Sequence, residues 1–151
     1  MKRSLIALVL VALVAVAIGG VAAAARVTGT SGPDQLTGTP AADRILGLAG
    51  DDTIDAGGGN DRVRGGRGND TVNGGDGNDR LWVGRGTDTE NGGAGDDVLH
   101  LLANDDQVDN ADCGPGNDVI WVNAAESDVH VNCETVKTVT VSRASAKARR
   151  R

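Results

Sequence analysis

The sequence predicts an all-β solenoid, and three observations predict it. A nine-residue unit repeats without interruption from residue 29 to residue 109. Three columns of that unit stay in phase: glycine at position four, aspartate at position six and an apolar residue at position eight. The chain also has no Phe, no Tyr and only two tryptophans, Trp82 and Trp121. That is too little large apolar surface to offset chain entropy in an ordinary globular core. A solenoid avoids the requirement, because each coil buries a small aliphatic rung against its neighbours.

The clearest copies are GGRGNDTVN from Gly65 and GGDGNDRLW ending at Trp82. Glycine permits a tight turn at positive φ and leaves backbone carbonyls uncovered. Carboxylate and carbonyl oxygens are the ligands that a hard cation such as Ca²⁺ takes. The single apolar residue sits in a three-residue extended piece and can point inward. Position six reads Asp34, Asp43, Asp52, Asp61, Asp70, Asp79, Asp88, Asp97 and Asp106. Position eight reads Leu36, Ile45, Ile54, Val63, Val72, Leu81, Glu90, Leu99 and Val108. Position four is glycine except at Ala41 and Asn104. A flexible Gly-rich linker has no reason to hold three columns in phase.

On these motifs, residues 29 to 121 resemble the RTX, or hemolysin-type calcium-binding, repeats, most closely between Gly57 and Asp97. The resemblance implies a right-handed parallel β-roll with two units per coil. It also implies several Ca²⁺ ions in the turns, held by turn carbonyls and position-six aspartates. The implied metal residues here are Asp43, Asp52, Asp61, Asp70, Asp79, Asp88, Asp97 and Asp118. The accompanying turn glycines are Gly57, Gly59, Gly66, Gly68, Gly75, Gly77, Gly93 and Gly95. Alternation of units places Asp52, Asp70 and Asp88 in one row and Asp43, Asp61, Asp79 and Asp97 in the other. The first two units, GTSGPDQLT and GTPAADRIL, lack the second glycine, so the tightest sites are expected around Asp61, Asp70 and Asp79. Position five offers Asn60, Asn69, Asn78, Asp51 and Asp96. These either orient the turns by side-chain hydrogen bonds or stand solvated.

In chain order, residues 1–25 read as a secretory signal. Lys2 and Arg3 precede an apolar run from Leu5 to Ile18, and Ala23 and Ala25 form a small-residue cleavage pair. Cleavage after Ala25 leaves no stable membrane span; retention of Ser4 to Ala25 as an anchor is the other reading. Residues 26–121 form the roll. Within it Glu90 occupies an apolar rung, where an unpaired carboxylate is costly. A distorted coil that lets Glu90 reach water, a pairing with Arg85, or a tolerated local defect each answers that cost. Trp82, at position nine, is expected to point outward beside it. After Asp109 the phase slips by three residues, and CGPGNDVIW from Cys113 is a tenth unit with Asp118 and Ile120. Residues 122–141 alternate like short strands at Val129, Val131, Val136, Val139 and Val141. They read as the short β cap that a solenoid needs over its last rung. Residues 142–151 are a basic tail.

Cys113 and Cys133 are the only cysteines. In an exported chain two cysteines most simply pair. A thiolate zinc site is the alternative, with His130 as the one nearby partner where zinc takes four ligands.

Charge is unevenly spread. Residues 26 to 136 carry 21 acidic side chains against seven arginines, a net of −14. Residues 137 to 151 carry six basic side chains and no acid. An acidic array repels itself until cations bind, and it excludes nucleic acid as its main partner. Without metal the segment has the composition of a disordered chain, so metal must supply folding free energy. No HExxH and no GxSxG is present, and neither His100 nor His130 adjoins a nucleophile. Position three, from Ser31 and Pro40 to Arg85 and Ala94, offers no threonine row of the kind an ice-binding face needs. The expectation is therefore a secreted, non-enzymatic calcium-binding protein, with a surface-structural or adhesion role and a cell-surface polymer or protein as partner. A calcium-dependent accessory module of a secreted enzyme system, or a small secreted enzyme, is the alternative.

Overall fold

The computed structural model describes residues 23–141. They form thirteen short strands and, among the described residues, no helix. The odd strands are β1 (Arg26–Thr28), β3 (Arg44–Ala49), β5 (Arg62–Arg67), β7 (Arg80–Trp82), β9 (Val98–Leu101), β11 (Val119–Asn123) and β13 (Thr135–Val139). The even strands are β2 (Gln35–Thr37), β4 (Thr53–Asp55), β6 (Thr71–Asp76), β8 (Thr89–Ala94), β10 (Asn110–Asp112) and β12 (Val129–Val131). Odd strands make one parallel sheet in sequence order, and even strands make the other. The chain thus alternates between two sheets, which is the predicted parallel β-roll.

Register follows from the repeat. Two units make one coil, so each residue pairs with the one 18 positions on: Ile45 with Val63, and Ile54 with Val72. Position eight points inward in both sheets. Val27, Ile45, Val63, Leu81, Leu99 and Ile120 stack in the first sheet; Leu36, Ile54 and Val72 stack in the second, all buried. Small branched side chains suffice because the facing rungs of the two sheets cover each other. The ladder begins one unit earlier than the sequence reading, with Val27 on β1. Ala25 is tied into this first rung: its N–H donates to Asp43 Oδ1 at 2.5 Å, and its carbonyl accepts from Arg44 N–H at 3.0 Å. The secretory signal and the basic tail lie outside the described residues, apart from Ala23 to Ala25.

The phase slip lies elsewhere than expected. Register rises from 18 to 21 between β8 and β10, where Thr89 pairs with Asn110, and between β9 and β11, where Val98 pairs with Val119. The three extra residues therefore fall between Leu101 and Asn110, before Asp109. Asp109 takes position six and Ala111 takes position eight, both buried. Asp106 and Val108, assigned to those columns by counting in nines, are exposed, and Asp106 adopts φ 64°. Counting fails here because Asp105, Asp106 and Asp109 all offer an aspartate, and only pairing selects among them.

The cap continues the roll. β12 and β13 pair in parallel with β10 and β11. On β12, His130 takes the inward position, while Val129 and Val131 face out, about half exposed. Cys113 and Cys133 form a disulfide, so no thiolate is left for zinc. Cys113 is buried in the core, and the bond fastens the connection between β12 and β13 to the residue that follows β10.

Candidate metal centre

Each position-six aspartate lies at the start of a strand, just after the glycine turn, with its side chain turned inside. From Asp52 onward its Oδ1 accepts the backbone N–H of the equivalent aspartate one coil earlier. Before the second sheet the chain of bonds runs from Asp34 N to Asp52, Asp52 N to Asp70, Asp70 N to Asp88, Asp88 N to Asp109 and Asp109 N to Asp128, at 2.7–3.1 Å. Before the first sheet it runs from Asp43 N through Asp61, Asp79 and Asp97 to Asp118, at 2.6–2.8 Å. The N–H of Asp118 then donates to Glu134 Oε2 at 2.8 Å. The two expected rows therefore exist, each longer than the sequence reading. Asp109, Asp128 and Glu134 were missed by counting in nines. An acid two residues before a rung position, as in DVHV and ETVK, was the signal that could have found them.

The second carboxylate oxygen has a different environment. Oδ2 of Asp52, Asp61, Asp70, Asp79, Asp97, Asp118 and Asp128 is buried with no hydrogen-bond partner. Oδ2 of Asp34, Asp43 and Asp88 instead accepts the N–H of Thr30, Thr39 and Gly84. The position-one glycine makes room for this oxygen: a Cβ on Gly65 would lie 2.4 Å from Asp70 Oδ2. Burial is the main reason that Asp61 is pushed up to about 6 and Asp70, Asp97 and Asp109 to about 7. The accepted backbone N–H opposes the shift, and carboxylates in adjacent coils add to it. Burial likewise raises Asp52, Asp79, Asp88, Asp118 and Asp128.

The turns stack as closely as the strands. The eight expected turn glycines all adopt positive φ. A Cβ on Gly77 would lie 1.9 Å from the carbonyl oxygen of Gly59, so the turn of one coil rests on a carbonyl of the coil before. Position five orients these turns. Asn69 N–H donates to Asp51 Oδ1, Asn78 N–H to Asn60 Oδ1, Asp96 N–H to Asn78 Oδ1 and Asn117 N–H to Asp96 Oδ1, at 2.8–3.0 Å.

Glu90 departs from its expected settings. Strand β8 is regular and Glu90 is buried in its rung between Val72 and Ala111. Both oxygens lack a partner, and Arg85 is an exposed turn residue rather than a counter-ion. Burial, with Asp109 and Asp88 nearby, holds the Glu90 carboxyl well above its ordinary range, because the core disfavours its charged form.

Orphaned buried carboxylate oxygens, aligned in two rows beside stacked backbone carbonyls, fit a hard divalent cation. Among the described residues no three acidic, His or Cys side chains converge on one point. A cation here draws on few carboxylates and completes its shell from the backbone of the turns. The fold and the rows define a calcium-binding β-roll. Residues 28–63, 56–90 and 91–112 match the family model for the RTX calcium-binding nonapeptide repeat, and the chain belongs to that family. No curated protein and no solved structure matches it significantly.

Proposed function

We propose that this is an exported protein whose roll folds on meeting extracellular Ca²⁺ and serves as a surface-structural or adhesion module without catalytic activity. The carrying observation is the set of orphaned second oxygens on Asp52, Asp61, Asp70, Asp79, Asp97 and Asp118. We assign these aspartates, with Asp43 and Asp88, as carboxylate ligands, and the backbone of the turns at Gly57, Gly59, Gly66, Gly68, Gly75, Gly77, Gly93 and Gly95 as the carbonyl source. Buried, unpaired carboxylates stacked one coil apart oppose folding when ionised. Bound Ca²⁺ supplies the opposing charge, at the roughly 10⁻⁴–10⁻³ M typical of extracellular modules. The net of −14 across residues 26 to 136 adds long-range repulsion to the metal-free state. The Cys113–Cys133 disulfide suits an oxidising compartment. The non-catalytic reading is supported by the histidines: His100 stacks between two indole rings, and His130 pairs in register with the rung residue Ala111.

The test is circular dichroism of wild type and Asp70→Asn, first in EDTA and then with added CaCl₂. The amide keeps the shape of the side chain and removes its charge. Wild type should gain β signal on adding Ca²⁺. Asp70→Asn should need more Ca²⁺ for the same transition while folding no worse than wild type in EDTA. A spectrum of wild type that is identical in EDTA and Ca²⁺ sinks the proposal.

A further inference from the structure

The outer faces of the two sheets differ in charge. Arg26, Arg44, Arg62 and Arg80 pair in register along the first sheet, one per coil, and all are exposed. A second row on the same face holds Arg64, Trp82, His100, Trp121 and Lys137, also in register. No strand of this sheet contains an acidic residue. The second sheet carries Asp55 and Asp112 at its corresponding outward positions. A chain of net charge −6 thus gathers most of its described cations on one flat face.

The second row is a continuous stack. His100 lies 4.9 Å from Trp82, centroid to centroid, with planes 5° apart, and 6.2 Å from Trp121, 12° apart. Arg64 covers the free side of Trp82 at 5.5 Å, and Lys137 covers the free side of Trp121 at 4.7 Å. Parallel strands about 4.8 Å apart bring planar rings at one register position into contact. The rings hold each other and Arg64 in place beside the arginine row. Arg44, Leu46, Arg62, Arg64 and Trp82 line a shallow depression there.

We propose that this face docks a linear polysaccharide bearing carboxylates, such as a polymer containing uronic acids. The proposal names the partner of the exported module and rests on that reading, because such polymers are met outside the cell. Five of the cations are arginines, whose planar fork matches a carboxylate with two parallel hydrogen bonds. Their repeat of one per coil lets one polymer engage several at once, so weak contacts sum. Single-stranded nucleic acid is the less suited polyanion. Its binders stack bases on open aromatic faces, and here those faces are covered by neighbouring rings and by Arg64 and Lys137. The disulfide points to the same oxidising surroundings.

The test measures binding of the Ca²⁺-loaded full chain to hyaluronan oligosaccharides by calorimetry. Dextran is the neutral control and oligothymidylate the nucleic-acid arm. Two double variants accompany it: R62Q/R80Q on the proposed face and T53A/T71A on the opposite one. Wild type should bind hyaluronan and not dextran, with an affinity that falls steeply as NaCl is added. R62Q/R80Q should lose about tenfold or more in affinity, with unchanged Ca²⁺-dependent dichroism; T53A/T71A should match wild type. Absence of hyaluronan binding by the folded protein overturns the proposal. So does wild-type affinity in R62Q/R80Q. Tighter binding of oligothymidylate with the same arginine dependence overturns it in favour of nucleic acid. A β signal insensitive to EDTA sinks calcium-driven folding, while the affinities from the same samples still decide the docking face.

Discussion

Two position-four glycines, equivalent in the repeat, should respond very differently to alanine. At Gly77 φ is +129°, and an added Cβ would lie 1.9 Å from Gly59 O and 2.6 Å from Gly59 C. Both are backbone atoms, so relief requires shifting one coil against the next. An L-residue at such a φ costs about 1–2 kcal/mol, and overpacking against fixed neighbours adds about 1–3 kcal/mol. Gly77→Ala should therefore lose about 2–5 kcal/mol. At Gly32 φ is not in the left-handed region, and nothing lies within 4 Å of the added Cβ. Gly32→Ala should be neutral, or stabilising by up to about 1 kcal/mol through the unfolded state. The assay is urea denaturation in saturating Ca²⁺. With a slope of about 1–3 kcal/mol per molar urea, a loss of 3 kcal/mol moves the midpoint by about 1–3 M. Equal midpoints for the two variants would refute coil-on-coil contact at the turns, and a larger loss for Gly32→Ala would refute it more strongly.

Three further outcomes follow from the interior. In EDTA the aspartates at about 6 to 7, Asp61, Asp70, Asp97 and Asp109, hold protons more tightly folded than unfolded. Metal-free β signal should therefore be strongest near or below pH 4 and be lost as pH rises through 6 to 7. In CaCl₂ the dependence should invert, with a lower Ca²⁺ midpoint at pH 8 than at pH 5.5, since ligands must lose their protons; the same titration series reads both signs. Glu90→Leu replaces a buried acid lacking any partner with the residue type of the Leu81 and Leu99 rungs in the other sheet. It should raise thermal stability by about 1–3 kcal/mol, whereas a loss of Ca²⁺ affinity would make Glu90 a ligand. Reducing the disulfide across its separation of 20 residues should cost about 3 kcal/mol, read as a lower urea midpoint with dithiothreitol than without.

Much of this architecture was legible because a repeat states its own register. Once Asp61, Asp70 and Asp79 fall in phase, a stacked repeat with an inward rung at position eight follows from the period of the unit, and the resemblance to the RTX repeats adds two units per coil, hence two sheets and two rows of aspartates. The slip before Asp109 was not legible, because the loop offers three aspartates and a local count takes the first in phase. Strand pairing settles it, since Ala111 must stand on Glu90 for β10 to bond with β8. Glu90 shows the same division. The sequence marks it as out of place, but only the packing decides that the strand stays regular and the acid is buried without a partner.

The sequence by itself determined the repeat, the inward rungs and the aspartate columns from Asp34 to Asp97, because each depends on spacing along the chain. The tertiary structure decided which aspartate oxygens are left unpaired, since that depends on where the N–H groups of the next coil and turn arrive. It also decided that Trp82, His100 and Trp121 form one stack flanked by Arg64 and Lys137. Those residues are 18 and 21 positions apart, and they meet only because parallel pairing places equal register positions of successive coils within van der Waals reach.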